Sequence, residues 1–88
     1  MINKHLTSHT EQPGELAEVV RRSLEKYFSN LEGAQPNPVY DMVIRAVEKP
    51  VLEVVMARTA GNQSEAAQIL GINRNTLRKK LTEHRIGL

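Results

Sequence analysis

The segment from Val39 to Ala57 restricts what this chain can fold into more than any other. It reads as a helix, yet valine, isoleucine, leucine, methionine, tyrosine and alanine occupy most of its circumference. A helix on the surface of a globular domain shows a single apolar stripe. One that is apolar nearly all round must be covered on several sides. A chain of 88 residues buries only about 60–65% of the surface it exposes unfolded, too thin a core to surround such a helix alone. The simplest resolution is a homodimer in which two copies of the helix cross, with Val43, Val47, Pro50, Val51, Val54 and Val55 in the interface. Pro50 removes a backbone hydrogen bond and marks a kink or a break. Two ordinary helices joined at Pro50 are the alternative.

The remaining segments also read as helices. Residues 1–14 are polar and end in Pro13-Gly14, the pattern of a flexible N-terminal arm. From Glu15, apolar residues recur at three- and four-residue steps through Leu31, with Glu18 and Arg22 one turn apart on the polar side. Gly33 suits a left-handed cap, and Asn37-Pro38 offers an N-cap followed by proline at the first helical position. Gly61 closes the apolar segment. Asn62 then caps a short helix, Gln63 to Leu70, with Glu65 at capping-box spacing. Gly71 breaks it, and Asn73 caps the last helix, Arg74 to about Glu83. The expected class is all-α: a four-helix protomer with intertwined dimerisation helices over residues 15–60 and a helix-turn-helix over residues 61–88, in one compact domain.

The helix-turn-helix reading rests on spacing. Ala67 stands where two helices touch, and a larger side chain would push them apart. Gly71 follows in the turn, where positive φ is easiest for glycine, and Leu77 lies on the inner face of the second helix. Ala66, Leu70 and Ile72 fill the core between them. A plain helical hairpin would share this pattern. The outer face of the last helix favours DNA binding, because it presents Asn73, Arg74, Asn75, Arg78 and Lys79, with Thr76, Lys80 and Thr82 close by. Arginine pairs with guanine and asparagine with adenine, and the start of a recognition helix is what reaches base edges. Lysine and arginine further along meet phosphates. Charge supports this: residues 58–88 hold six Lys+Arg and two acids, whereas residues 1–57 hold six and eight. A basic half suggests a polyanionic partner, double-stranded DNA in this case.

Other classes find little support. With no cysteine there is no disulfide, thiol nucleophile or cysteine-based metal site. No apolar run is long enough to span a membrane, and the first residues lack a signal peptide's apolar core, so the expected location is the cytoplasm. No Ser–His–Asp or paired-carboxylate arrangement stands out, so no enzyme is expected, and no cofactor. His5 and His9 are four apart but have no third ligand, so no metal site is expected. Asn62-Gln63-Ser64 spells a glycosylation sequon that has no meaning in the cytoplasm. An interaction module, with the basic tail serving only solubility, is the competing reading.

The run Gly61-Asn62-Gln63-Ser64-Glu65-Ala66-Ala67-Gln68-Ile69-Leu70-Gly71-Ile72-Asn73-Arg74-Asn75-Thr76-Leu77-Arg78-Lys79-Lys80-Leu81 resembles the DNA-binding end of the factor for inversion stimulation (Fis) family of bacterial nucleoid proteins. Glu48 to Met56 matches the dimer helix of that family, Pro50 included, and Tyr27-Phe28 its first helix. The resemblance covers about residues 15–84. A weaker form of the C-terminal motif closes many enhancer-binding activators, but 88 residues starting at Met1 leave no room for their ATPase domain. The resemblance implies a homodimer that binds and bends DNA in the bacterial nucleoid with weak, partly indirect sequence preference. It implies major-groove and backbone contacts from Asn73, Arg74, Thr76, Arg78 and Lys79, with Arg74 reading bases. Asn62 and Ser64 would meet phosphates. The chain departs from the family pattern at Thr82 and Glu83, where the family has basic residues, and at Ala60, where one well-known member carries a basic residue. RNA polymerase or a recombinase is a further partner class, but residues 1–14 do not match the family's β-hairpin arm, so recombinase stimulation is not carried over.

Overall fold

A computed structural model of the chain describes the backbone of residues 3–87 and the side chains of residues 14–87. Among these residues every regular element is a helix: α1 (Asn3–Leu31), α2 (Val39–Arg58), α3 (Gln63–Leu70) and α4 (Arg74–Glu83). The described residues are all-α with four helices, as the periodicity of the sequence predicts. Its contacts divide it into two units, Met1–Val39 and Tyr40–Leu88.

The first unit is α1 and the loop after it. The helix starts upstream of Glu15 and carries Pro13 and Gly14 within it. The arm expected over residues 1–14 is therefore helical backbone from Asn3 onward, while Met1 and Ile2 lie outside the described residues. A proline costs a helix one hydrogen bond, which the turns on either side can absorb. Tyr27 and Phe28 stack edge to face, ring centres 5.4 Å apart. The backbone N–H of Asn37 donates to Tyr27 Oη at 2.9 Å, folding the loop back onto the helix. Asn37 therefore contributes its backbone N–H here, and α2 begins only at Val39.

The second unit holds α2, α3 and α4. Its core is Leu52 from α2, Ala66 and Ala67 from α3, and Leu77 and Leu81 from α4. Val55, Met56, Leu70, Ile72 and Ile86 pack against it half-buried. Ala66, with no exposed surface, is more deeply enclosed than Ala67. The helix α2 runs unbroken through Pro50, which removes the two-helix alternative. Ala46, whose carbonyl loses its usual donor, and Pro50 are both exposed, so water can replace the missing bond.

All three helices of this unit end the same way. After α3, Gly71 is left-handed (φ +72°), its N–H donates to the Gln68 carbonyl at 3.2 Å, and the Ile72 N–H donates to the Ala67 carbonyl at 3.1 Å. The same pair of bonds closes α2 around Ala60 (φ +52°) and α4 around Arg85 (φ +56°). This is the Schellman motif, which satisfies carbonyls that a helix end leaves open. Only one of the three left-handed positions is glycine.

The second helix has two apolar faces. Leu52, Val55 and Met56 face the core, while Tyr40, Ile44, Val51 and Val54 are 81%, 40%, 42% and 65% exposed in the single chain. With half-buried Val47, these four follow a four-three-four-three spacing, the seam of a coiled coil. Of the six residues expected in a dimer interface, Val47, Val51 and Val54 lie on this stripe; Val43 and Pro50 lie beside it. Val55, half-buried, packs in part against the helix-turn-helix core, because a residue advances about 100° around the helix and Val55 follows Leu52 by almost one turn.

Candidate nucleic-acid interface

Two asparagines define the start of each helix in the candidate site. Asn62 Oδ1 accepts the Glu65 N–H at 3.1 Å, and Asn73 Oδ1 accepts the Asn75 N–H at 2.7 Å. Both residues have the extended backbone typical of N-caps. The Asn62 N–H is taken by the Thr59 carbonyl at 3.0 Å, so only half of the expected capping box forms. Thr59 itself is buried, with its hydroxyl donating to the carbonyls of Val55 at 3.1 Å and Met56 at 3.3 Å.

Capping limits what these side chains can offer a nucleic acid. A paired contact to adenine uses both the oxygen and the nitrogen of an asparagine amide. At Asn62 and Asn73 the oxygen is already occupied, which leaves Nδ2 donors suited to phosphate oxygens. Asn75 has no capping role and keeps both groups.

Leu77 and Leu81 anchor α4 in the core. Every other candidate on this helix is exposed: Arg74, Asn75, Thr76, Arg78 and Lys79. Asn75 and Lys79, one turn apart, lie nearly opposite Leu77, with Arg78 beside them and Arg74 at the N-terminal end. Ser64 is exposed in the first turn of α3, where unpaired N–H groups and the helix dipole favour an anion. The Thr82 hydroxyl turns back to the Arg78 carbonyl at 3.0 Å, so it is spent within its own helix.

Lys80 departs from the basic face. Its Nζ meets Glu48 Oε2 of α2 at 2.7 Å, and His84 Nε2, on a side chain that is 5% exposed, lies 2.8 Å from Glu48 Oε1. Hydrogen bonds from Lys80 and then from His84 hold the Glu48 carboxyl below its ordinary value. The same carboxylate raises the Lys80 ammonium. Sequence reasoning set Lys80 near the outer face and drew no link from it or from His84 to α2. The partner of both lies 32 and 36 residues away, where no local pattern could point to it.

A family model described as "Bacterial regulatory protein, Fis family" matches residues 43–84, the span from α2 through this site. Among curated proteins, a chain from Neisseria meningitidis serogroup B is 53% identical over 70 residues, covering 80% of this chain and 89% of that one. The chain belongs to the Fis family. Two further relatives are a protein of Ralstonia nicotianae, 57% identical over 65 residues (74% of this chain, 84% of that one), and one of Pseudomonas aeruginosa, 45% identical over 83 residues (94% and 80%). All three carry the printed name "Putative Fis-like DNA-binding protein". The Fis family is one of regulatory proteins, not of enzymes. No helix among the described residues is long and apolar enough to cross a membrane. His5 and His9 lie outside the residues whose side chains are described.

Proposed function

We propose that this Fis-family chain is a homodimeric DNA-binding protein of the bacterial cytoplasm, acting on transcription and nucleoid organisation by bending the duplex. The observation that carries DNA binding is the outer face of α4. Arg74, Asn75, Thr76, Arg78 and Lys79 are all exposed on a helix whose opposite edge is pinned by Leu77 and Leu81. The names printed for the relatives support the same ligand. In this reading Arg74 and Asn75 meet base edges, Arg78, Lys79 and Thr76 the backbone, and Asn62, Ser64 and Asn73 phosphates.

Dimerisation is supported by the exposed seam of Tyr40, Ile44, Val47, Val51 and Val54. A lone chain would leave that row in water, whereas a second copy buries it against its equivalent. A dimer places two α4 helices on one duplex, and bending follows when their separation falls short of one turn of straight DNA.

The test is a titration of the purified protein on circularly permuted duplex fragments at several salt concentrations. Discrete complexes whose mobility depends on where the site lies in the fragment are the expected result. Diffuse binding that vanishes at moderate salt, with no positional effect, would overturn the reading and leave the basic face as solvated charge.

A further inference from the structure

The residues that bind DNA in this reading lie on α3 and α4, and the dimer seam lies on α2. What joins them decides how far apart two α4 helices stand in the dimer. Apolar packing of Leu52 against Leu77 and Leu81 supplies attraction but little direction, because a helix can roll and slide on an apolar surface. Direction comes from the one polar connection between α2 and the end of α4 among the described residues. Glu48 divides its carboxylate between two partners: Oε2 takes Lys80 Nζ at 2.7 Å, and Oε1 takes His84 Nε2 at 2.8 Å. Lys80 and His84 are four residues apart, one turn, at the C-terminal end of α4. Two bonds to neighbouring turns restrict both rotation about the α4 axis and sliding along it, which one bond could not do. The cluster is sheltered: the Glu48 side chain is 20% exposed and that of His84 5%. Lys80 is thereby directed away from the exposed cations at Arg74, Arg78 and Lys79.

We infer that Glu48 is a positioning residue for DNA recognition. It touches no nucleic acid, and it sets the orientation of α4 on the dimer helix and so the half-site separation that the dimer prefers. This inference rests on the dimeric DNA-binding reading above.

The experiment compares the full-length wild type with Glu48→Ala, Glu48→Gln and, as a control for the same charge change, Glu53→Ala, whose parent side chain is exposed on α2. Affinity is measured on duplexes carrying the preferred site and on versions with the half-sites moved together or apart by about one base pair. Glu48→Ala is expected to lose about tenfold on the preferred spacing and to discriminate less between spacings. Glu53→Ala is expected to keep the wild-type preference. A merely structural loss would lower affinity at all spacings alike. Glu48→Ala with the same spacing preference as Glu53→Ala therefore overturns the inference. Should circular dichroism show Glu48→Ala unfolded, the isosteric Glu48→Gln decides by the same criterion. A wild type that binds no duplex would instead bring down the DNA-binding reading, and this inference with it.

Discussion

Ala60 adopts a backbone conformation that Gly71 adopts at less cost. Both stand at the left-handed position of the same helix-ending motif, and an L-residue with a Cβ is disfavoured there by about 1–2 kcal/mol. Ala60→Gly should therefore stabilise the protein by about 0.5–1 kcal/mol, once the extra freedom of glycine in the unfolded chain is set against the relief. Gly71→Ala should destabilise it by about 0.5–1 kcal/mol, the same two effects with their signs reversed. No atom lies within 4 Å of the Cβ that this change would add, so the effect would be purely conformational. Urea unfolding of both variants checks the pair; midpoints unmoved in either direction would count against a left-handed strain at these positions. On DNA, Arg74→Ala should cost about 1–3 kcal/mol on the preferred site and less on random sequence. Arg78→Ala and Lys79→Ala should weaken binding to all sequences and lower the salt slope by about one each. Lys80→Ala should leave that slope unchanged, since its charge is already engaged by Glu48. A salt titration that lowers the slope for Lys80→Ala as well would put that lysine on the phosphates.

At the scale of elements, the contact of α4 with α2 carries a pH dependence of known sign. The Glu48 carboxyl is held below its ordinary value, so its contribution is whole above the carboxylate range and is lost as acid brings the pH down through the lowered value. Lys80 is raised, so its share is whole below the ammonium range and is lost as the pH climbs through the raised value. The pair is partly exposed, and its worth is about 0.5–1 kcal/mol. Wild type should therefore lose urea stability more steeply than Glu48→Gln as the pH falls below the ordinary carboxylate range; parallel curves would argue that the cluster adds nothing. Element boundaries in this half were legible because their signals are local. Asn62, Gly71 and Asn73 each announce a helix end within a few residues. Ala60 and Arg85 carry no such signal, since neither residue type favours a left-handed cap. The Glu48–Lys80–His84 cluster was hidden for another reason, as it joins segments that only the fold brings together. Upstream, Pro13-Gly14 suggested a break, yet one missing hydrogen bond did not end α1.

For the whole molecule, five buried apolar residues form the core of the second unit, and a comparable row of apolar side chains stays exposed along α2. In the proposed dimer, such a balance makes folding and association mutually dependent. The melting temperature should rise with protein concentration, and Val54→Asp, which buries an unpaired charge in the proposed seam, should yield monomers by light scattering. A wild type that is monomeric at every concentration would dismiss the seam. The apolar character of α2 was plain in the sequence, but which of its faces meets the helix-turn-helix and which is left over required the position of Leu52. The Glu48 cluster also bears on how such proteins can be recombined. A cut at Gly61 looks like a natural seam for grafting the reading head of one family member onto the body of another. Here that cut would part a carboxylate from both of its partners. A functional hybrid would have to carry position 48 along with positions 80 and 84, so the inheritable unit of specificity begins well upstream of the helices that read DNA.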